Sequence, residues 1–174
     1  GHSAGGQLVQ WIAGRARVPA GSPLYLPNPL PVRAVVSLGG LADLRREREL
    51  IKSSCGRDTP ELAGLPSAAR PDVYVDTNAA ELIPNGSHTI LVTGEVDTIS
   101  PPRLAHDYAA RERAAGDSSR LVHTPETWCR IARLFAGASG LDGSLLTLRR
   151  GMTLRGLVEL AHNGNLRQQI DNWG

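Results

Sequence analysis

The sequence predicts an α/β fold, a parallel sheet flanked by helices, and three observations carry that prediction. Short β-branched runs alternate with longer amphipathic segments over residues 1–126. Their order reads helix, strand, helix, loop, strand, helix, strand, and parallel strands require such helical crossovers. Gly39-Gly40 ends the first β-branched run, and Pro101-Pro102 sits just before the last helix. At 174 residues the chain suffices for one domain with its own core and not for two. Aromatic residues make up only 4%, so that core must be mostly Leu, Val, Ile and Ala.

The elements follow in order. Residues 4–16 predict a helix, with Leu8, Trp11 and Ile12 at helical spacing and Val9 widening the apolar face. Residues 19–31 hold five prolines and a glycine and predict a loop. Val32–Leu38 is a β-branched run suited to a buried parallel strand, ended by Gly39-Gly40. Asp43 is placed to cap a charged helix over 44–53. Residues 55–87 are irregular, with one short helix expected to end near Leu82. Thr89–Thr93 is the second strand, and Pro101-Pro102 precedes a helix over 103–115, where a proline is tolerated in the first turn. Arg120–Thr124 is the third strand.

Beyond Glu126 the character changes. Residues 127–174 carry six arginines against Asp142, Glu159 and Asp171, and no further strand is evident. A weak amphipathic helix is expected from Ser144 to Ala161, with Gly151 and Gly156 each costing about 1 kcal/mol relative to Ala. Lys52 is the sole lysine among 19 basic residues, and Arg, Gly, Ala and Pro share GC-rich codons. A GC-rich gene has long open alternative frames, so residues 127–174 are expected to be a frameshifted or fused tail behind the domain of residues 1–126.

Several function classes are disfavoured. A net charge of +2 argues against a nucleic-acid binder, and Arg149, Arg150, Arg155 and Arg167 fit a solvated helix face better than a phosphate site. No apolar run approaches the roughly 20 residues of a membrane span. Cys55 and Cys129 form no disulfide framework and lack metal-ligand spacing, so no metal or cofactor is expected and the expected compartment is the cytoplasm.

The chemistry lies in two turns. Gly1-His2-Ser3-Ala4-Gly5 has the Gly-x-Ser-x-Gly pattern of a strand-to-helix corner that exposes a serine hydroxyl. The flanking glycines are expected because side chains would collide there. Ser3 is the candidate nucleophile, and the Ala4 backbone N–H is a candidate oxyanion donor at the positive end of the following helix. The plainer alternative is a serine that caps the helix. In the second turn, Leu91–Thr93 runs into Gly94-Glu95-Val96-Asp97, which places the Asp97 carboxylate at the ligand-binding edge of the sheet. There it could orient a histidine base. The order Ser then Asp suits this chemistry.

The stretches GHSAGGQLVQWIA, VRAVVSLGGLADLR, NAAELIPNG, ILVTGEVDTISPP and AHDYAARERAAGDSSRLVHTPE together resemble the C-terminal half of bacterial α/β-hydrolases of the esterase/lipase kind. The resemblance is to the kynurenine-formamidase-like or prolyl-oligopeptidase-like group and covers residues 1–126. It implies a partial α/β-hydrolase fold and a serine hydrolase acting on carboxylic esters or small amides. Ser3 would be the nucleophile and Asp97 the acid, with Asp43 outside the catalytic set. It also implies a His-Gly-Gly-type loop that this sequence does not contain, and a Gly-His turn near Trp128 or Cys129, where Glu126-Thr127-Trp128-Cys129-Arg130 stands instead.

The remaining histidines are weak substitutes for that base. His2 packs beside the elbow, and His88 and His106 are ordinary strand and helix residues. His123 and His162 are the remaining candidates. An impaired or inactive hydrolase is therefore expected, with a non-catalytic remnant or interaction module as the alternative. An incomplete sheet would expose an edge through which copies self-associate.

Overall fold

The computed structural model describes residues 1–125. The expected tail helix, His162, Cys129 and the boundary after Glu126 lie outside the described residues. The elements are α1 (Ala4–Ala13), β1 (Ala34–Leu38), α2 (Arg48–Cys55), α3 (Thr59–Ala63), α4 (Tyr74–Thr77), β2 (His88–Gly94), α5 (Pro102–Ala114) and β3 (Ser118–Thr124). Single 3-10 turns lie at Arg15–Arg17 and Ala79–Glu81. The three strands form one parallel sheet in the order β1-β2-β3. Val36 pairs with Ile90, and Ile90 with Arg120. This is the predicted α/β architecture.

Side chains alternate across the strands, so each sheet face has its own apolar set. Leu91 and Leu121 pack with Trp11 of α1 and with Ala105, Tyr108 and Ala109 of α5. Val36, Ile90 and Val92 form the core of the opposite face, joined by Leu38 and Val122. A third cluster, Leu41, Leu44, Ile51 and Leu104, ties α2 to the start of α5.

Helix α1 departs from expectation in both length and orientation. It stops at Ala13 because Gly14 takes over as the cap, its N–H reaching back to Gln10 O at 3.3 Å. The residues it buries are Gly6, Gln7, Gln10 and Ala13. Leu8 and Ile12, expected to face the core, are instead 55% and 41% exposed. The polar face turns inward because its groups are satisfied there. Gln10 Oε1 accepts from Ser37 Oγ at 3.0 Å, and Gln7 Nε2 donates to Thr77 O at 3.0 Å. Buried amides with partners lose little against water.

The segment 55–87 holds two helices and a 3-10 turn rather than one short helix. Helices this short do not stand on local propensity. Tertiary bonds hold them: Arg70 forks onto the buried Asp76 carboxylate, and Thr59 Oγ1 shares a hydrogen bond with Tyr74 Oη at 2.6 Å.

Asp43 does more than the expected cap and also does it elsewhere. Its Oδ1 accepts from Arg46 N at 3.1 Å, capping a turn over 44–47, and α2 begins only at Arg48. The same Oδ1 accepts from Asn78 Nδ2 at 2.9 Å, and Oδ2 accepts from Arg111 Nη1 at 2.7 Å. Arg111 Nη2 also donates to Ala80 O at 2.6 Å. One carboxylate thus joins the loop after β1, the 3-10 turn and α5. Arg111→Ala would leave half-buried Asp43 with only the exposed Arg46 guanidinium, 3.6 Å from its Oδ2, and is expected to cost about 1–3 kcal/mol in urea unfolding.

Candidate active site

Residues preceding α1 extend the sheet beside β1. Leu38 N donates to Gly1 O at 2.8 Å, Ser3 N donates to Leu38 O at 2.9 Å, and His2 bridges Leu38 in the parallel sense. The elbow therefore leaves the sheet at the C-terminal end of the strands, next to β1, where parallel α/β sheets bind ligands.

Ser3 has φ 49° and ψ −118°. A positive φ at a non-glycine residue costs of order 1–3 kcal/mol and persists only where the surroundings impose it. Sheet bonds on one side and α1 on the other impose it here, for Gln7 N donates to Ser3 O at 3.1 Å. Ser3 occupies the N-cap position, yet its side chain makes no capping hydrogen bond. The capping alternative therefore fails, and the hydroxyl is not committed to the helix. The first-turn N–H groups of α1, Ala4 among them, have no intrahelical acceptor.

The glycines around Ser3 differ from expectation. A Cβ on Gly1 would stand 2.0 Å from Gly5 O, so the first glycine of the motif is sterically required. Gly5 has open space around its Cβ position. The crowded position is Gly6, where a Cβ would meet Gly40 Cα at 2.7 Å and Ser37 Oγ at 2.8 Å. Close approach of α1 to the end of β1 is thus set by Gly6 and Gly40. Sequence reasoning gives Gly39-Gly40 only the end of a strand and Gly6 no role, whereas Gly6 and Gly40 set this packing.

Asp97 lies beyond β2, in a turn closed by its own N–H donating to Gly94 O at 3.1 Å. Glu95 N donates to Thr124 O at 2.8 Å and pins that turn to the end of β3. Asp97 is 6% exposed. Its Oδ1 accepts from Ile99 N at 2.8 Å and Ser100 N at 2.9 Å, while Oδ2 is buried with no hydrogen-bond partner. A buried carboxylate oxygen without a partner is costly and marks a place where a donor belongs.

Elbow and acid turn both lie at the C-terminal ends of the strands, and the Asp97 carboxylate acts on the ring of His2. Partial burial lowers the proton affinity of His2, and the Asp97 carboxylate raises it.

The other described histidines sit elsewhere. His88 Nδ1 shares a hydrogen bond with Ser118 Oγ at 2.7 Å, at the far end of the sheet. His123 is exposed on β3, opposite Thr93, and its ring lies 5.0 Å from that of His106 on α5. Neither donates to Asp97 Oδ2. Among the described residues no group of three or more His, Cys, Asp or Glu could hold a metal ion. No helix there is long and apolar enough to cross a membrane.

No family model matches this sequence, and no curated protein matches it. Among solved structures, an acetyl ester-xyloside bifunctional hydrolase from Caldicellulosiruptor lactoaceticus is similar, with a TM-score of 0.50 and 19% identity. The alignment covers 72% of this chain and 44% of that enzyme, so the chain spans less than half of its neighbour's length. At that identity the likeness speaks for the fold alone: an α/β arrangement of three parallel strands flanked by helices, matching part of that hydrolase.

Proposed function

We propose that this chain is a serine hydrolase of carboxylic esters or small amides, of the kynurenine-formamidase-like kind, with turnover limited by its base. The observation that carries the reading is Ser3, strained and uncapped at the C-terminal edge of the sheet, with Asp97 beyond the same edge of β2 and its Oδ2 without a donor. Ser3 Oγ would attack the carbonyl carbon, and the Ala4 N–H would receive charge on the oxyanion. An imidazole between Ser3 Oγ and Asp97 Oδ2 would take the proton and return it to the leaving group. His123 is the one described candidate, and it would have to leave His106 to do so. The acetyl ester in the neighbour's name suits a small acyl group. Cys55, an exposed free thiol, favours the cytoplasm.

Hydrolysis of a chromogenic acetyl ester tests this, with Ser3→Ala as the control. The expected result is a residual wild-type rate that added imidazole raises above the rate of imidazole alone, and no such rise in Ser3→Ala. A serine-hydrolase site lacking one triad member retains roughly 10³–10⁴-fold catalysis over water. Equal rates in both proteins, with and without imidazole, would instead favour a non-catalytic interaction module. The exposed Leu8 and Ile12 of α1 support that second reading, with self-association beside the elbow strand.

A further inference from the structure

A cluster at the opposite end of the sheet has no part in this chemistry. It centres on Asn85-Gly86, between the 3-10 turn and β2. Asparagine followed by glycine is the dipeptide most prone to deamidation, because no Cβ on the second residue hinders attack by its nitrogen. In that reaction the Gly86 nitrogen bonds to Asn85 Cγ, the Cγ–Nδ2 bond breaks, and ammonia leaves with the proton lost by Gly86. Water then opens the succinimide to aspartate or isoaspartate.

Every group in that reaction is engaged here. Gly86 N donates to Asp117 Oδ1 at 3.0 Å, and Asn85 N donates to Asp117 Oδ2 at 2.6 Å. The Asn85 amide Nδ2 donates to Glu112 Oε1 at 2.8 Å and to Tyr108 Oη at 3.4 Å. Its Oδ1 accepts from Ser87 N at 2.8 Å. Closing the ring requires the backbone and the side chain of Asn85 to rotate together, which would break these bonds. The anionic Asp117 also disfavours loss of the Gly86 proton.

We infer that Asn85 is a modification site masked by the fold, deamidated by water when the Asp117 clamp opens and preserved while it is closed. The product would place a second carboxylate against Glu112, which is fully buried. Opening would thereby become irreversible, and molecules that had opened would carry a lasting mark.

Peptide mapping by mass spectrometry after incubation in mildly alkaline buffer tests this. Conversion at Asn85 is expected to be at least about tenfold slower in native protein than in urea, as for other groups shielded from local opening. Asp117→Ala, if its circular dichroism is native, is expected to convert several times faster than the wild type in buffer. Equal rates in buffer and urea, or equal rates in native-like Asp117→Ala and the wild type, would overturn the inference. Should Asp117→Ala not fold, Asn85→Asp provides the second arm. Its melting temperature is expected to fall below that of the wild type, more at alkaline than at acid pH, and an unchanged value would refute the locking step.

Discussion

Gly6→Ala is expected to destabilise the protein by about 1–3 kcal/mol, while the adjacent Gly5→Ala is neutral or stabilising by up to about 1 kcal/mol. Both residues lie in α1, where alanine is the better helix former. The two differ in what a new methyl group would meet. At Gly5 it meets nothing within 4 Å, whereas at Gly6 it meets the Gly40 backbone at 2.7 Å. Backbone cannot rotate away as a side-chain tip can, so α1 must shift. Any shift also carries Ser3, whose conformation depends on α1 and β1 together. Gly6→Ala should therefore lose Ser3-dependent ester hydrolysis along with stability. Paired urea titrations check the first effect, and the ester assay checks the second.

The second large effect concerns pH. Burial pushes the Glu112 carboxyl up from 4.5 to about 7, against the hydrogen bonds from Thr89 and Asn85 that pull it down. The Asp117 carboxylate adds to the rise, and Arg113 opposes it. The group sits on α5 with Oε1 2.6 Å from Thr89 Oγ1, while Oε2 is buried without a hydrogen-bond partner. Between pH 4.5 and 7 the folded protein keeps a proton that the unfolded chain has released. Stability from this group is therefore fully present below pH 4.5 and is lost as pH rises through 7. The total change is about 3 kcal/mol, at 1.36 kcal/mol for each unit. Glu112→Gln cannot ionise and is expected to abolish this slope, gaining on the wild type as pH rises toward 8. A parallel pH dependence in both proteins would show that Glu112 ionises alike in the folded and unfolded states.

The alternation of strands and helices was legible in the sequence because β-branched runs and apolar periodicity are local signals. The face that α1 buries was not. Leu8 and Ile12 form the apolar stripe, yet contact between Gly6 and Gly40 and the bonds of Gln7 and Gln10 orient the helix. Such facts belong to two segments at once, and periodicity within one segment cannot carry them. The short helices of residues 55–87 escaped for the same reason, since Asp76 and Tyr74 find their partners across loops.

At the site, residue types and order identified Ser3 and Asp97 as candidates. The strained backbone of Ser3 and the unpartnered Oδ2 of Asp97 emerge only in three dimensions. Glu112 gave no signal in the sequence, because its burial depends on Asn85 and Thr89 arriving from elsewhere.

The most direct test of the central claim is to locate the serine that reacts with an alkyl fluorophosphonate in the presence of imidazole. Digestion and tandem mass spectrometry would identify the modified hydroxyl. A single adduct on Ser3, absent from Ser3→Ala and slowed in Asp97→Asn, is the expected result. No adduct at Ser3, or labelling spread over other serines and unchanged in Ser3→Ala, would contradict it.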